Sequence, residues 1–207
     1  MTLDDALAAC PVIAILRGVR PDEVVAHAQA LFDVGICAVE VPLNSPDPLS
    51  SVAALAGALG GSCLCGAGTV LTVAEVEAVE AAGGRLIVSP NIDADVVSRA
   101  VALGLASLPG IATASEAFRA LDAGARHLKL FPAATYGPGH TRQLRAVLPA
   151  DVTLLAVGGV GPADMAAWWN SGVRGFGLGS ELYGPGQTPT DTATKAARVM
   201  EAVRALA

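Results

Sequence analysis

Lysine is nearly absent from this chain. Of 207 residues, thirteen are basic, and only Lys129 and Lys195 among them are lysines. Charged residues of both signs amount to 15% and aromatics to 4%, while 53% of the chain is hydrophobic. A composition so poor in charge implies extensive burial, with part of the surface covered by other subunits. Excess positive charge is missing too: a net charge of −6 and a pI near 4.9 exclude nucleic acid as an expected partner. Cysteine is limited to Cys10, Cys37, Cys63 and Cys65, without zinc-type spacing. Cys63 and Cys65 share one expected strand and point the same way, a poor geometry for bridging, so all four read as reduced core thiols of a cytoplasmic protein. No cluster of His, Asp and Cys suggests a metal, and none is expected.

One uncharged stretch, residues 48–74, is long enough to cross a bilayer. Gly57, Gly60, Gly61, Gly66 and Gly68 break it into helix, turn and strand, so no membrane segment is read there. The opening MTLDDALAAC ends like a lipoprotein cleavage site, but Asp4 and Asp5 stand where a leader would be basic and then apolar. No leader is read.

What the chain does have is a beat. Apolar, strand-like runs recur as VIAILRG (12–18), AVEVPLN (38–44), LCGAGTV (64–70), LIVSPN (86–91), SLPGI (107–111), HLKLFPA (127–133), LLAVGGV (154–160) and GFGLGSEL (175–182). Between them lie alanine-rich segments of helical period such as PDEVVAHAQALFDV, with stops at Gly35, Gly60, Gly83, Gly104, Gly124 and Gly172, where the left-handed C′ position suits glycine. Eight short apolar strands alternating with helices predict a parallel sheet covered on both faces. Closed, it is a single (β/α)8 TIM barrel spanning residues 1–207, with a short N-terminal helix. A doubly wound open sheet is the alternative. Against it, the strand–helix turns carry neither a dinucleotide-binding glycine fingerprint nor a P-loop.

Three charges interrupt the runs: Arg17 in the first, Glu40 in the second and Lys129 in the sixth. Each would be costly to bury unpaired. In a barrel, all three approach the C-terminal ends of the strands, where active sites are built. A buried ion network that merely plugs the barrel is the bland alternative. Lysine in apolar surroundings loses its proton more easily, and a neutral amine can attack a ketone to form an imine. The protonated imine is an electron sink that stabilises a carbanion as an enamine. That chemistry needs a proton carrier, and Glu40, flanked by Ala38, Val39, Val41 and Pro42, is the candidate.

The last two runs end in Gly158-Gly159 and in Gly179-Ser180. Loops after strands seven and eight of such barrels often hold phosphate through backbone N–H groups, so a phosphorylated substrate is expected. Thr69, ending the third run, is placed to bond a substrate oxygen or its own loop. Arg17 suits a carboxylate.

Taken together, VIAILRG, AVEVPLNSP, GAGTVL, IVSPN, PGIATASE, LKLFPA, AVGGVGP and LGSELY resemble, in order and over nearly the whole chain, the Schiff-base aldolases of 2-keto-3-deoxy-6-phosphogluconate and 2-keto-3-deoxy-6-phosphogalactonate. The resemblance implies a homotrimeric barrel that cleaves its sugar acid to pyruvate and glyceraldehyde 3-phosphate without metal or cofactor. It implies that Lys129 forms the imine and Glu40 shuttles protons, partly through water. Arg17 and Thr69 would hold the carboxylate end, Pro90 and Phe131 shape the pocket, and Gly158, Gly159 and Ser180 bind phosphate.

Two departures stand out. Asn44 occupies the loop position where the phosphogluconate branch commonly has arginine, which with VSPN and GSELY looks closer to the phosphogalactonate branch. Gly161 stands where the family often has threonine or serine, leaving the phosphate to backbone donors. The rival readings are the same chemistry on the gluconate epimer, a barrel phosphosugar epimerase using Glu40 and Lys129 without an imine, and a non-catalytic phosphosugar-binding protein. His127 shares the strand parity of Lys129 but reads as a satisfied core histidine. Of the pair Trp168-Trp169, one is expected in the core.

Overall fold

The computed structural model describes residues 1–206. Its strands are β1 (Val12–Ile15), β2 (Ala38–Pro42), β3 (Leu64–Gly68), β4 (Leu86–Val88), β5 (Ala106–Leu108), β6 (Gly110–Ile111), β7 (His127–Leu130), β8 (Thr153–Val157) and β9 (Gly175–Leu178). The helices are α1 (Leu3–Ala9), α2 (Val24–Phe32), α3 (Pro48–Leu59), α4 (Val73–Ala81), α5 (Ala94–Ala102), α6 (Ala114–Asp122), α7 (Ala133–Arg145), α8 (Met165–Trp169) and α9 (Pro189–Arg204).

All neighbouring strands are parallel, in the order β5-β4-β3-β2-β1-β9-β8-β7-β6. The two ends of that order are one residue apart in the chain. They are halves of the single strand expected over 107–111, parted at Pro109, which has no N–H to give to a ladder. Since β5 pairs with β4 and β6 with β7, the sheet closes through this break, and the open-sheet alternative falls. The fold is the (β/α)8 barrel.

Alternation along the strands separates two cores. Outward-facing Val12, Ala14, Val39, Val41, Leu128 and Leu130 pack under the helices. Inward-facing Ile13, Ala38, Leu64, Leu86 and Leu155 fill the barrel, and Leu3, Ala6 and Leu7 of α1 close its N-terminal end. Burying each such leucine contributes about 1.5–3 kcal/mol. A Thr2–Asp5 capping box starts α1, and Asp4 accepts a hydrogen bond from His127 Nε2 at 2.8 Å. His127 is therefore satisfied at the floor of the barrel, far from a catalytic role. Capping boxes at Thr72/Glu75, Thr113/Glu116 and Thr188/Asp191 start α4, α6 and α9, each cap stabilising its helix by about 1 kcal/mol.

Several local expectations shift. Five of the six helix-stop glycines have left-handed φ, but Gly60 stays helical at φ −60° because the chain leaves α3 later, with Ser62 and Cys63 amides both bonding Leu59 O. After Gly158-Gly159, α8 begins only at Met165, since residues 162–164 are turns in which Asp164 N bonds Gly161 O at 3.0 Å. Within α7 the helix breaks at Gly137 (φ 74°, ψ 167°) ahead of Pro138. Trp168 is buried, while Trp169 stacks on Phe176 with ring centroids 6.4 Å apart. The four cysteines are free thiols, and among the described residues no helix is long and apolar enough to cross a membrane.

Candidate active site

Strand parity puts Lys129 inside the barrel. Its neighbours Leu128 and Leu130 turn outward into fully buried positions, while the Lys129 amide bonds Pro109 O at 3.0 Å in the split strand. Glu40 occupies the matching inward position of β2, in register with Ile15 of β1 and Gly66 of β3. Both are buried, with Glu40 2% and Lys129 5% exposed. Such burial is tolerable because the Glu40 charge is offset by that of Lys129 and, more weakly, by that of Arg17.

Burial pushes the Glu40 carboxyl up to about 7, with Lys129 and then Arg17 pulling it back. Burial pulls the Lys129 ammonium down to about 8, opposed by Glu40 and reinforced by Arg17. Amine and carboxyl thus titrate next to each other near neutrality, as proton-transfer chemistry needs. The Glu40 carboxylate rests against Gly68, and its Oε2 is buried with no hydrogen-bond partner.

Phe131 links the lysine to the glycine-rich side. Its ring centroid is 4.8 Å from Lys129 Nζ, and its edge lies 3.2 Å from where a Gly158 β-carbon would stand. Gly158 (φ 95°) and Gly159 (φ 72°) turn the chain tightly, Gly159 over Ala134, where a β-carbon would come within 2.6 Å. Arg17, Phe131, Gly158, Gly159 and Ser180 all line one cleft of about 960 Å3 at the C-terminal end of the barrel. A second cavity, about 650 Å3, lies at the opposite end beside Asp4 and His127.

Arg17 corrects one expectation. It is not within a strand and not buried: β1 ends at Ile15, Gly18 (φ 84°) turns the chain, and Arg17 is exposed in that turn. Its Nη1 donates to Asn44 Oδ1 at 2.5 Å, and Gly18 N donates to Ser45 Oγ at 2.9 Å, so the loop after β2 orients the loop after β1. Thr69 follows Gly68 at the end of β3 with a left-handed φ of 58°, uncommon for a β-branched residue. Pro90 sits beyond β4; its carbonyl would overlap a β-carbon on Gly110, the register partner of Lys129. Neither Thr69 nor Pro90 makes a side-chain hydrogen bond to Lys129 or Glu40.

Three residues matter here that sequence reasoning does not single out for the site. Asn44 stands out in the sequence only as a departure, yet it holds Arg17. Gly68 makes room for Glu40. Lys195 donates to Ser180 O at 3.2 Å. For Asn44 and Gly68 the signal is their place at the ends of the charge-bearing strands; Lys195 has none.

Residues 3–192 match the family model described as KDPG and KHG aldolase. The chain belongs to that family. It is an aldolase, a lyase. It is 50% identical over 194 residues to the 2-dehydro-3-deoxy-6-phosphogalactonate aldolase of Escherichia coli K12, covering 94% of this chain and 95% of that one. A solved structure described as native KDPGal superposes with a TM-score of 0.93 at 49% identity, covering 95% of each chain. More distant is a KDPG aldolase from Legionella pneumophila with pyruvate captured as a covalent carbinolamine, at 27% identity, TM-score 0.82, and 98% and 96% coverage.

In this aldolase, a buried amine of lowered pKa and a carboxyl of raised pKa face the interior of the barrel beneath a cleft. One wall of that cleft has a guanidinium and the other has glycine backbone. Such a constellation can add an amine to a carbonyl and move protons to and from the adduct.

Proposed function

We propose that this aldolase cleaves 2-dehydro-3-deoxy-6-phosphogalactonate to pyruvate and glyceraldehyde 3-phosphate through an imine on Lys129. The observation that carries the reading is the buried pair itself: burial lowers the Lys129 ammonium to about 8, within reach of deprotonation near neutrality, and the Glu40 carboxyl has an unbonded oxygen. The 50% identity to a phosphogalactonate aldolase, against 36% and 27% to two phosphogluconate ones, supports the galactonate epimer.

Neutral Lys129 attacks the C2 ketone to give a carbinolamine, and Glu40 donates the proton that leaves with hydroxide as water. In the resulting protonated imine, a base takes the proton from the C4 hydroxyl, directly or through water, and the C3–C4 bond breaks. Its electron pair moves into the imine to form the enamine, while C4 leaves as the aldehyde of glyceraldehyde 3-phosphate. Glu40 serves as that base and then returns a proton to C3. Water hydrolyses the imine and frees pyruvate. Arg17, steadied by Asn44, and Thr69 hold the carboxylate, Pro90 and Phe131 confine the reacting carbons, and the backbone of Gly158 and Gly159 with Ser180 takes the phosphate. No step calls for a metal or a cofactor.

The working form is a cytoplasmic homotrimer; the apolar composition and the family resemblance support it, and light scattering on the purified protein tests the trimer. For the chemistry, intact mass after incubation with pyruvate and borohydride should show a covalent adduct on wild type and none on Lys129→Ala. No adduct on either protein would sink the imine. Initial rates on the galactonate and gluconate epimers then test substrate choice, with the galactonate epimer expected to be faster.

A further inference from the structure

The chain's other lysine holds the loop that carries Ser180. Residues 179–183 make one turn, in which Gly179 O accepts from the amides of Leu182 (2.8 Å) and Tyr183 (2.9 Å). Lys195, reaching from α9, donates to Ser180 O at 3.2 Å and to Gln187 Oε1 at 3.0 Å. Gln187 Oε1 also accepts from Gly184 N at 3.0 Å, and Gln187 Nε2 donates to Leu182 O at 2.8 Å and to Thr192 Oγ1 at 2.6 Å. Behind this, Thr192 Oγ1 bonds His27 Nδ1 at 2.8 Å, and the His27 ring meets Tyr183 edge-on at 4.8 Å. The loop is pinned from beneath by side chains that do not enter the cleft.

The peptide unit between Ser180 and Glu181 has an ammonium on its oxygen. That contact polarises the unit and makes its far end, the Glu181 N–H, a better donor. Among the described residues, neither the Ser180 nor the Glu181 amide has a backbone acceptor, and both residues line the cleft. Two acids, Asp164 and Glu181, stand on the same wall, with the Glu181 carboxylate 3.6 Å from where a Gly161 β-carbon would be. A phosphate dianion entering here meets like charge, and Lys195 is placed to offset it.

We propose that Lys195 is a positioning residue for the substrate phosphate. It fixes and polarises the Ser180–Glu181 peptide against which the phosphate docks, and does not itself touch the substrate. This rests on the reading of the Gly158, Gly159 and Ser180 wall as the phosphate subsite.

The test runs the reaction in the addition direction, with pyruvate and either glyceraldehyde 3-phosphate or unphosphorylated glyceraldehyde. For Lys195→Met the KM for the phosphorylated aldehyde should rise about tenfold with kcat within about twofold of wild type. Kinetics with glyceraldehyde and borohydride trapping of pyruvate should not change. Lys195→Gln, which keeps a donor but loses the charge, should fall between, and it carries the comparison if the methionine variant does not fold. Equal losses with both aldehydes would mean a merely structural role and overturn the proposal. So would a wild-type preference for the phosphorylated aldehyde that survives undiminished in both variants. If wild type itself shows no such preference, the phosphate reading fails and the role of Lys195 with it.

Discussion

The carboxylate of Glu40 lies where a side chain on Gly68 would stand. A β-carbon there would overlap both Oε2 and Cδ of Glu40. The buried carboxylate is thus accommodated by the absence of a side chain on the next strand. Adding one methyl must displace either the carboxylate or β3. Gly68→Ala is expected to cost about 1–3 kcal/mol of stability by overpacking and to lower kcat about 100-fold by misplacing the proposed proton carrier. Gly61 is the control, because a β-carbon added there would meet no atom within 4 Å, and Gly61→Ala should leave both unchanged. Thermal melts and steady-state rates on the two variants check the pair.

Imine formation should trace a bell in pH. In the proposed mechanism the reactive state has Lys129 neutral and Glu40 protonated, one proton shared by the pair. It is depleted at low pH, where Lys129 becomes charged, and at high pH, where Glu40 ionises. With Glu40 raised to about 7 and Lys129 lowered to about 8, the flanks should fall near those values. In Glu40→Gln the negative charge that favours the ammonium is gone, so the Lys129 pKa falls below about 8. Trapping should then be slower and rise with pH to a plateau, without the alkaline flank. Rates of pyruvate trapping from about pH 5 to pH 10 distinguish the two profiles.

The barrel was legible because burial on both sheet faces writes itself into local pattern: short apolar runs, helical alanine segments, glycine stops. Lys129 and Glu40 were legible for the same reason, as charges out of place in such runs. Arg17 was legible as a residue but not in its setting, since the run VIAILRG continues past the last paired residue, Ile15, and hydropathy does not record where a ladder ends. Pro109 marked a break that local pattern still joined into one strand. Gly68 and Lys195 act through contacts between segments distant along the chain or joined by a folded loop, Glu40 to Gly68 and Ser180 to Lys195. Neither leaves any periodic trace. The two lysines were therefore unequal on paper; in the fold one faces the barrel interior and the other holds a loop of the cleft wall from behind.

Thr69 should show a conflict between stability and function. Its φ of 58° costs a β-branched residue about 1–3 kcal/mol, a strain that persists at the end of β3 beside the Glu40 contact. Thr69→Gly accepts that conformation freely, so the variant should melt no lower than wild type despite glycine's larger loss of chain entropy. The same variant loses the hydroxyl proposed to bond the carboxylate, and its KM for pyruvate should rise about fivefold. A lower melting temperature with unchanged KM would reverse both halves of the expectation.

Asn44 should matter through Arg17 alone. Its Oδ1 accepts from Arg17 Nη1, and the guanidinium is otherwise exposed in a turn with no side-chain partner among the described residues. Asn44→Ala leaves the charge in place but frees the side chain to move, so the ordering cost falls on substrate binding. KM for pyruvate should rise about threefold to tenfold, and Arg17→Ala should raise it further by removing the charge. The double variant should then be no worse than Arg17→Ala, because Asn44 has nothing left to orient. Additive losses in that cycle would instead place Asn44 in direct contact with the substrate. Adding arginine at this position, as Asn44→Arg, puts a second cation beside Arg17 and removes its acceptor. Binding of the carboxylate should then depend more steeply on salt than in wild type, which KM measured across ionic strength reads directly.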